Sequence, residues 1–214
     1  MKQKKIISII LMISLLTTIP FAQARAENGF ELSYWYSDSN LIACWDISTL
    51  DTYIGSNVTT NANLSLSNIK SYVSTGFNNW NGTTHLSKKD VSSQSSAKLV
   101  IGAVTEAQAD SLSLPPNLTG ITTTPITSIY TGYYNGSSKQ IGKIGGTVQV
   151  FLTNRSAFSS FTSSKWQQIA VHEIGHAMGY DGHYNSGNVM PADANNLKSA
   201  TPSSNEKNHL SQVY

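Results

Sequence analysis

Two histidines four residues apart, with a glutamate directly after the first, stand in the stretch "VHEIGHAMGYDGHYNSGNVMP" of residues 171–191. His172 and His176 would share one face of a helix, so both imidazoles could reach the same ion. Glu173 lies beside them but one residue out of ligand register, which suits a carboxylate that transfers protons. The pattern H-E-x-x-H therefore predicts a zinc site with Glu173 as its general base.

The third ligand is the open question of this stretch, because a catalytic zinc ion takes three protein ligands. The extended pattern H-E-x-x-H-x-x-G-x-x-H has a histidine three residues after its glycine. Gly179 fits the glycine, but Gly182 occupies the histidine position and His183 comes one residue late. We expect His183 to be the ligand, since the free φ of Gly182 could absorb the extra residue. Asp181, with its shorter side chain, is the alternative.

A helix must present these residues, and "SSKWQQIAVHEIGHAMG" predicts one. Ser164 and Gln167 have the spacing of a capping box, and Gly179 allows the left-handed turn that ends a helix. The apolar positions of the helix form one arc, which predicts that the histidines lie at the edge of a buried face. These positions are Trp166, Ile169, Ala170, Ile174 and Ala177.

The elements before this helix are mostly strands. "NLIACWDIS", "AKLVIGAVT" and "GTVQVFLTN" each predict a strand, the second one central and buried on both faces. "SLSNIKSYVSTGFNNWNG" predicts an amphipathic helix, and "SSNEKNHLSQVY" predicts a closing helix. Residues 107–146 predict loops with one or two strands, such as "TSIYTGYY". Because the strands are grouped before the site helix, the order favours an α+β fold.

The first 26 residues predict a secretory signal peptide. Three lysines precede an apolar stretch from Ile6 to Phe21, and small residues then favour cleavage after Ala26. The mature chain would be a single domain of residues 27–214, secreted and without a membrane segment. The segment holds four of the 14 basic residues and none of the 12 acidic ones, so its removal changes the net charge from +2 to −2. We therefore expect no nucleic-acid partner.

We expect no metal-binding role for the cysteine and the other two histidines. Cys44 is the only cysteine, so no disulfide can form within the chain, and we expect a small buried side chain there. His85 and His209 are expected at the surface. A calcium ion is possible, but no Asp-rich loop supports one.

Met190 follows His183 by seven residues, in "NVMP". With the histidine motif, this methionine resembles the metzincin clan of zinc metallopeptidases, and within it the matrixins in their small secreted bacterial form. The resemblance implies a twisted mixed sheet packed on two helices, with the zinc-site helix, a methionine turn and a C-terminal helix. It also implies that Met190 forms an apolar floor under the zinc and that Pro191 begins the wall of a substrate pocket. A propeptide with a blocking cysteine and the H-x-D cluster of a second zinc are missing.

The predicted function is a secreted zinc-dependent endopeptidase. One catalytic Zn²⁺ on His172, His176 and His183 would activate its bound water, whose proton Glu173 would take and pass to the leaving amine. The partner would be a protein or peptide substrate that pairs with an edge strand, which we expect between Leu118 and Tyr134, and the enzyme would be a monomer. Two alternatives stay open: a zinc amidase acting on cell-wall peptides, and a non-catalytic secreted binding protein on a decayed peptidase scaffold.

Overall fold

The computed structural model describes residues 26–27, 41–134, 137–180, 182–211 and 214. Residues 1–25 of the predicted signal peptide and Asp181, the alternative third ligand, lie outside the described residues. Within the described ranges, no helix is both long enough and apolar enough to span a membrane.

Strands and helices alternate in the first part of the described chain, and two helices follow the last long strand. The strands are β1 (Ala26–Glu27), β2 (Leu41–Cys44), β3 (Thr49–Ser56), β4 (Ser87–Asp90), β5 (Leu99–Thr105), β6 (Gly120–Thr123), β7 (Ile126–Tyr134), β8 (Ser137–Ile144), β9 (Val148–Asn154) and β10 (His183–Tyr184). The helices are α1 (Leu66–Asn79), α2 (Glu106–Ser111), α3 (Ser163–Ala177) and α4 (Ser204–Ser211).

A five-stranded mixed sheet forms the scaffold, in the order β4-β3-β5-β9-β6. Its first four strands are parallel, and β6 runs antiparallel to β9 at one edge. The central strand β5 is buried from Leu99 to Val104, which confirms the prediction for "AKLVIGAVT". Two smaller sheets have the orders β2-β8-β7 and β1-β10.

Helices α1 and α3 pack on one face of the sheet, and the main hydrophobic core lies between the helices and the sheet. The helices are closely apposed, because a Cβ on Gly76 of α1 would lie 2.4 Å from Cδ1 of Ile174 in α3. The fully buried side chains of this core include Leu50, Leu99, Ile101, Val148, Val150, Leu152, Ile69, Val73, Trp80, Trp166, Ile169 and Ile174. The predicted α+β class, with a mixed sheet packed on two helices, is confirmed.

The start of α3 differs from the prediction. Thr162, not Ser164, is the N-cap, and its side chain accepts a hydrogen bond from the Lys165 amide. The physical reason is the preceding aromatic residue: Phe161 packs edge-on against Trp166, with ring centroids 5.5 Å apart. This contact between the residue before the cap and the fourth helical residue is a hydrophobic staple, which fixes the start of the helix.

Two strand predictions were also wrong in extent. The segment "NLIACWDIS" is not one strand, because β2 ends at Cys44 and the chain then turns into β3, an eight-residue strand. The run ends at Trp45, whose backbone amide donates to the Tyr214 hydroxyl and whose indole donates to the Ala177 carbonyl of α3. Residues 107–146 contain three strands, β6, β7 and β8, where one or two were predicted.

Candidate metal centre

Three histidines from two elements converge at the end of α3. His172 and His176 project from the helix, and His183 comes from β10 after the turn. One ring nitrogen of each histidine lies within 4.8 Å of those of the other two. The ring of His183 stacks on that of His172, with centroids 5.3 Å apart, and lies 5.2 Å from that of His176. These three side chains are positioned to bind a metal ion.

The glycines of the turn bring the late histidine to the other two. Gly179 has a φ of 113° and ends α3, so the chain reverses. The carbonyl of Tyr180 then faces back and accepts a hydrogen bond from His176 Nδ1 at 2.7 Å. Gly182 has a φ of 62°, a left-handed conformation that L side chains rarely adopt, and His183 follows it directly. Gly182 thus has the left-handed conformation that was expected of a glycine just before the late histidine.

The hydrogen bonds of the imidazoles define where a cation would bind. The Nδ1–H of His172 donates to the Val189 carbonyl at 2.7 Å, as that of His176 does to Tyr180. A carbonyl only accepts, so in the neutral rings both Nε2 atoms are left unprotonated, and they lie 3.1 Å apart. Two lone pairs at that distance repel each other unless a cation lies between them. The donor set thus fits a zinc ion, for which Nε2 of a neutral imidazole is a common ligand.

Burial keeps these rings neutral. The pKa of His172 is lowered to about 3, mainly by burial and also by the nearby His183, while the hydrogen bond to Val189 opposes the shift. Burial also lowers the pKa of His176 well below its ordinary value, with His172 and His183 adding to the effect. Neutral imidazoles are the form that binds a metal ion, so ligation at neutral pH displaces no proton from these two rings.

Glu173 lies beside the histidines, on the side of α3 that faces β6. Its side chain is only 5% exposed, and Thr122 Oγ1 of β6 donates a hydrogen bond to its Oε2 at 2.7 Å. Burial raises the pKa of Glu173 to about 7, although the Thr122 hydrogen bond acts in the opposite direction. A carboxyl group with a pKa near neutrality can both accept and release a proton, as a general base and then acid must.

Met190 and Pro191 are both buried, and Met190 lies against the helix that carries two of the histidines. A Cβ on Gly175, in the middle of the histidine motif, would lie 3.0 Å from Met190 Sδ and 2.8 Å from Cζ2 of Trp80. The methionine thus packs directly against the helix backbone between the two histidines. Its carbonyl accepts the amide hydrogen of Tyr184 at 2.8 Å, which ties the methionine turn to the residue after His183.

Glu206 of α4 supports this turn and was missed in the sequence. Its carboxylate is fully buried, and Oε1 accepts hydrogen bonds from the amides of Val189 at 2.8 Å and Met190 at 2.7 Å. Oε2 accepts the amide hydrogen of Ser203 at 2.6 Å, while the Ser203 hydroxyl caps the Glu206 amide. The spacing Ser-x-x-Glu is a capping-box signal. That signal predicts the helix start, but not the second oxygen that reaches the methionine turn.

Residues from both ends of the described chain close the carboxyl end of α3. The Trp45 indole donates to the Ala177 carbonyl at 2.9 Å, and the Tyr214 hydroxyl donates to the Met178 carbonyl at 2.5 Å. These carbonyls have no partner within the helix, so the two side chains satisfy groups that a helix end leaves open. Cys44, the neighbour of Trp45, is half-buried, not fully buried as predicted.

His209 is buried, so the prediction of a surface histidine was wrong for this residue. It is 3% exposed, and its ring packs against that of Tyr180, with centroids 4.6 Å apart. The reason is that α4 turns this face towards the end of α3, together with the buried Glu206 and Leu210. His85 is exposed as predicted, and its ring contacts that of Tyr214.

Acid destabilisation is the expected consequence of this burial. Burial lowers the pKa of His209 from 6.5 to about 4. Between these pH values the unfolded chain therefore binds a proton that the folded chain does not. The resulting stability is fully present above pH 6.5 and is lost as the pH falls towards 4. Urea unfolding of metal-free protein at pH 7 and pH 4 should show that His209→Phe removes about 3 kcal/mol of the wild-type loss. His85→Phe, at an exposed histidine, is the control and should keep the full loss; an unchanged pH dependence in His209→Phe would contradict the prediction.

Comparison with known proteins adds little to this geometry. No family model matches the chain, and no curated protein matches it. Among solved structures, the crystal structure of myroilysin is similar with a TM-score of 0.30 and 14% sequence identity, over 75% of this chain and 59% of that chain. This chain therefore spans less than two thirds of that structure's length. A likeness at this TM-score supports no conclusion about function, so the site itself must carry the argument.

Proposed function

We propose that the protein is a secreted zinc-dependent endopeptidase of the metzincin type, resembling the small bacterial matrixins. The observation that carries the proposal is the convergence of His172, His176 and His183 beside the buried carboxylate of Glu173. The buried Met190 under the same helix supports the metzincin assignment, because a methionine turn follows the third histidine in that clan.

The three histidines would hold the zinc ion, with Nδ1 of His172 and His176 fixed by backbone carbonyls. A zinc ion bound there supplies Lewis-acid polarisation of the scissile carbonyl and a lower pKa for water. Glu173 takes a proton from the attacking water and delivers it to the nitrogen of the leaving amine. Its position beside the two helical histidines, in a largely buried site, suits both transfers.

Substrate would bind along β6, which lies at the edge of the five-stranded sheet and within the range Leu118–Tyr134. An edge strand has backbone N–H and C=O groups free on one side, so an extended peptide can pair with it. This strand also carries Thr122, the partner of Glu173, so a peptide on β6 would lie next to the base.

Metal dependence tests the proposal. The protein should be expressed with its own N-terminal segment, collected from the medium and assayed on quenched-fluorescence peptides and on casein. We expect cleavage at internal peptide bonds, loss of more than about 95% of activity with a chelator, and recovery with zinc, since imidazole is a favoured zinc ligand. Mass spectrometry should find Glu27 at the N-terminus. Cleavage of peptidoglycan without cleavage of casein would support the amidase instead, and a zinc-loaded but inert protein would support the binding protein.

Two substitutions in the same assay decide the third ligand. His183→Ala should lower zinc affinity by at least about 100-fold and abolish activity, because removal of a ligand costs more than removal of an outer contact. Asp181→Asn is the matched control, and it should keep affinity and activity within about threefold of wild type. The reverse pattern would assign the third position to Asp181.

A further inference from the structure

The carboxylate of Glu173 packs against two residues of the edge strand β6, Gly120 and Thr122. The Thr122 hydroxyl lies 2.7 Å from Glu173 Oε2 and 3.0 Å from the Glu173 backbone carbonyl oxygen. The hydroxyl has one proton, and the closer, charged acceptor is the carboxylate. Within the described part of the chain, no ion pair reaches Glu173. Thr122 is therefore the side chain that orients this carboxylate.

Gly120 supplies the space for the carboxylate. A Cβ at this position would lie 2.5 Å from Glu173 Oε1 and 2.9 Å from its Cδ, closer than real side chains approach. Any larger residue would therefore push the carboxylate away from the strand. Residues 120 and 122 point to the same face, since side chains alternate along a strand. Ile121, between them, packs against the apolar cluster on the opposite face of the sheet.

The hydrogen bond from Thr122 matters because Glu173 must hold a fixed position to transfer a proton. A glutamate has three rotatable side-chain bonds, and a base works only when it is within reach of the proton. The 2.7 Å hydrogen bond fixes one carboxylate oxygen to a strand, which is more rigid than a loop. This is the strand that the substrate is expected to pair with, so the peptide and the base would be aligned by the same backbone.

We propose that Thr122 is a positioning residue for the catalytic base: its hydroxyl, with the space left by Gly120, holds the Glu173 carboxylate in place for proton transfer. This inference rests on the proposed peptidase function. It assigns to β6 a role in orienting the base beyond its role in binding substrate. In this role Thr122 acts through the Glu173 carboxylate.

Steady-state kinetics of Thr122→Val and Thr122→Ser on a quenched-fluorescence peptide test the inference. Valine keeps the shape and strand preference of threonine but removes the hydroxyl. We expect kcat to fall about 10- to 100-fold, with KM within about twofold and an unchanged zinc content, because the loss falls on the reacting geometry and not on substrate binding. Thr122→Ser restores the hydroxyl and should bring kcat back to within about threefold of wild type.

Two further variants separate positioning from a general effect on the strand. Thr52→Val is the matched control, because it makes the same change in β3 of the same sheet, where the Thr52 hydroxyl donates to the Leu50 carbonyl and not to Glu173. Its kcat should equal that of wild type. Gly120→Ala leaves the Thr122 hydroxyl intact but fills the space that the Glu173 carboxylate occupies. This variant should lower kcat with zinc still bound. Thermal unfolding midpoints of all variants show whether the fold is kept.

The outcomes distinguish this inference from the proposed function. An active wild type with full kcat in Thr122→Val, or with Thr122→Ser as slow as Thr122→Val, overturns the positioning role and leaves the peptidase function standing. A wild type that binds zinc but cleaves no peptide overturns both. A fall in kcat for Thr122→Val that Thr122→Ser reverses, with normal zinc content, supports the role.

Discussion

Glu173→Gln is expected to lower kcat for peptide cleavage by about 10²- to 10⁴-fold while zinc stays bound, which is the range for loss of a general base. Glutamine has nearly the same shape and can still accept the hydrogen bond from Thr122 through its amide oxygen. It cannot take a proton from water at neutral pH. His172 and His176, the proposed metal ligands, keep their carbonyl partners, so the zinc site should be unaffected.

Zinc content by elemental analysis and kcat on the same samples measure the effect. Glu106→Gln is the control, because it makes the same chemical change at a carboxylate far from the histidine motif in the sequence. This carboxylate accepts hydrogen bonds from Ser156. That variant should have wild-type activity. If Glu173→Gln cleaves peptides at more than about a tenth of the wild-type rate, Glu173 is not the base and the mechanism proposed here is wrong.

Glu206→Ala is expected to have the largest effect on stability, a loss of about 3 to 5 kcal/mol in the free energy of unfolding. The substitution leaves the buried amides of Val189 and Met190, and the half-buried amide of Ser203, without their acceptor. The Val189 carbonyl fixes His172, and the Met190 carbonyl binds the residue after His183. Loss of Glu206 should therefore lower zinc affinity as well, by about 10- to 100-fold, as expected for a group that supports metal ligands from behind.

Urea unfolding of metal-free protein measures the first effect, and competition with a zinc-binding dye measures the second. Asn208→Ala, at an exposed position of the same helix, should change stability by less than about 0.5 kcal/mol and leave zinc affinity unchanged. Gly187→Ala is an independent way to displace the Glu206 carboxylate, because a Cβ there would lie 2.2 Å from Glu206 Oε1. Wild-type zinc affinity in Glu206→Ala would show that the methionine turn holds the ligands without this carboxylate.

Much of the scaffold could be predicted because it follows from local patterns. The apolar run of β5 and the apolar arc of α3 are periodic, and both elements formed where the pattern placed them. The strand β3 and the start of α3 were harder to predict. Trp45 acts through a hydrogen bond to the distant Ala177 carbonyl, and Phe161 acts through a ring contact with Trp166. Such contacts leave no periodic signal in the sequence.

The sequence by itself determined the chemistry of the site. The spacing of His172, Glu173 and His176 places two imidazoles and a carboxylate on one helix, and Gly179 and Gly182 provide the two left-handed turns the chain needs. These are local properties, because a helix and a glycine turn depend on neighbouring residues.

Only the tertiary structure decided what holds that chemistry in place. It brings His183 from β10 to the two helical histidines, puts Thr122 of β6 on the Glu173 carboxylate, and sends Glu206 of α4 to the methionine turn. The Thr122 and Glu206 contacts join residues 51 and 16 positions apart, so burial and hydrogen bonding between packed elements selected these partners, which no local spacing could specify. His183 is different, because it lies close after the site helix and its approach was expected from the spacing.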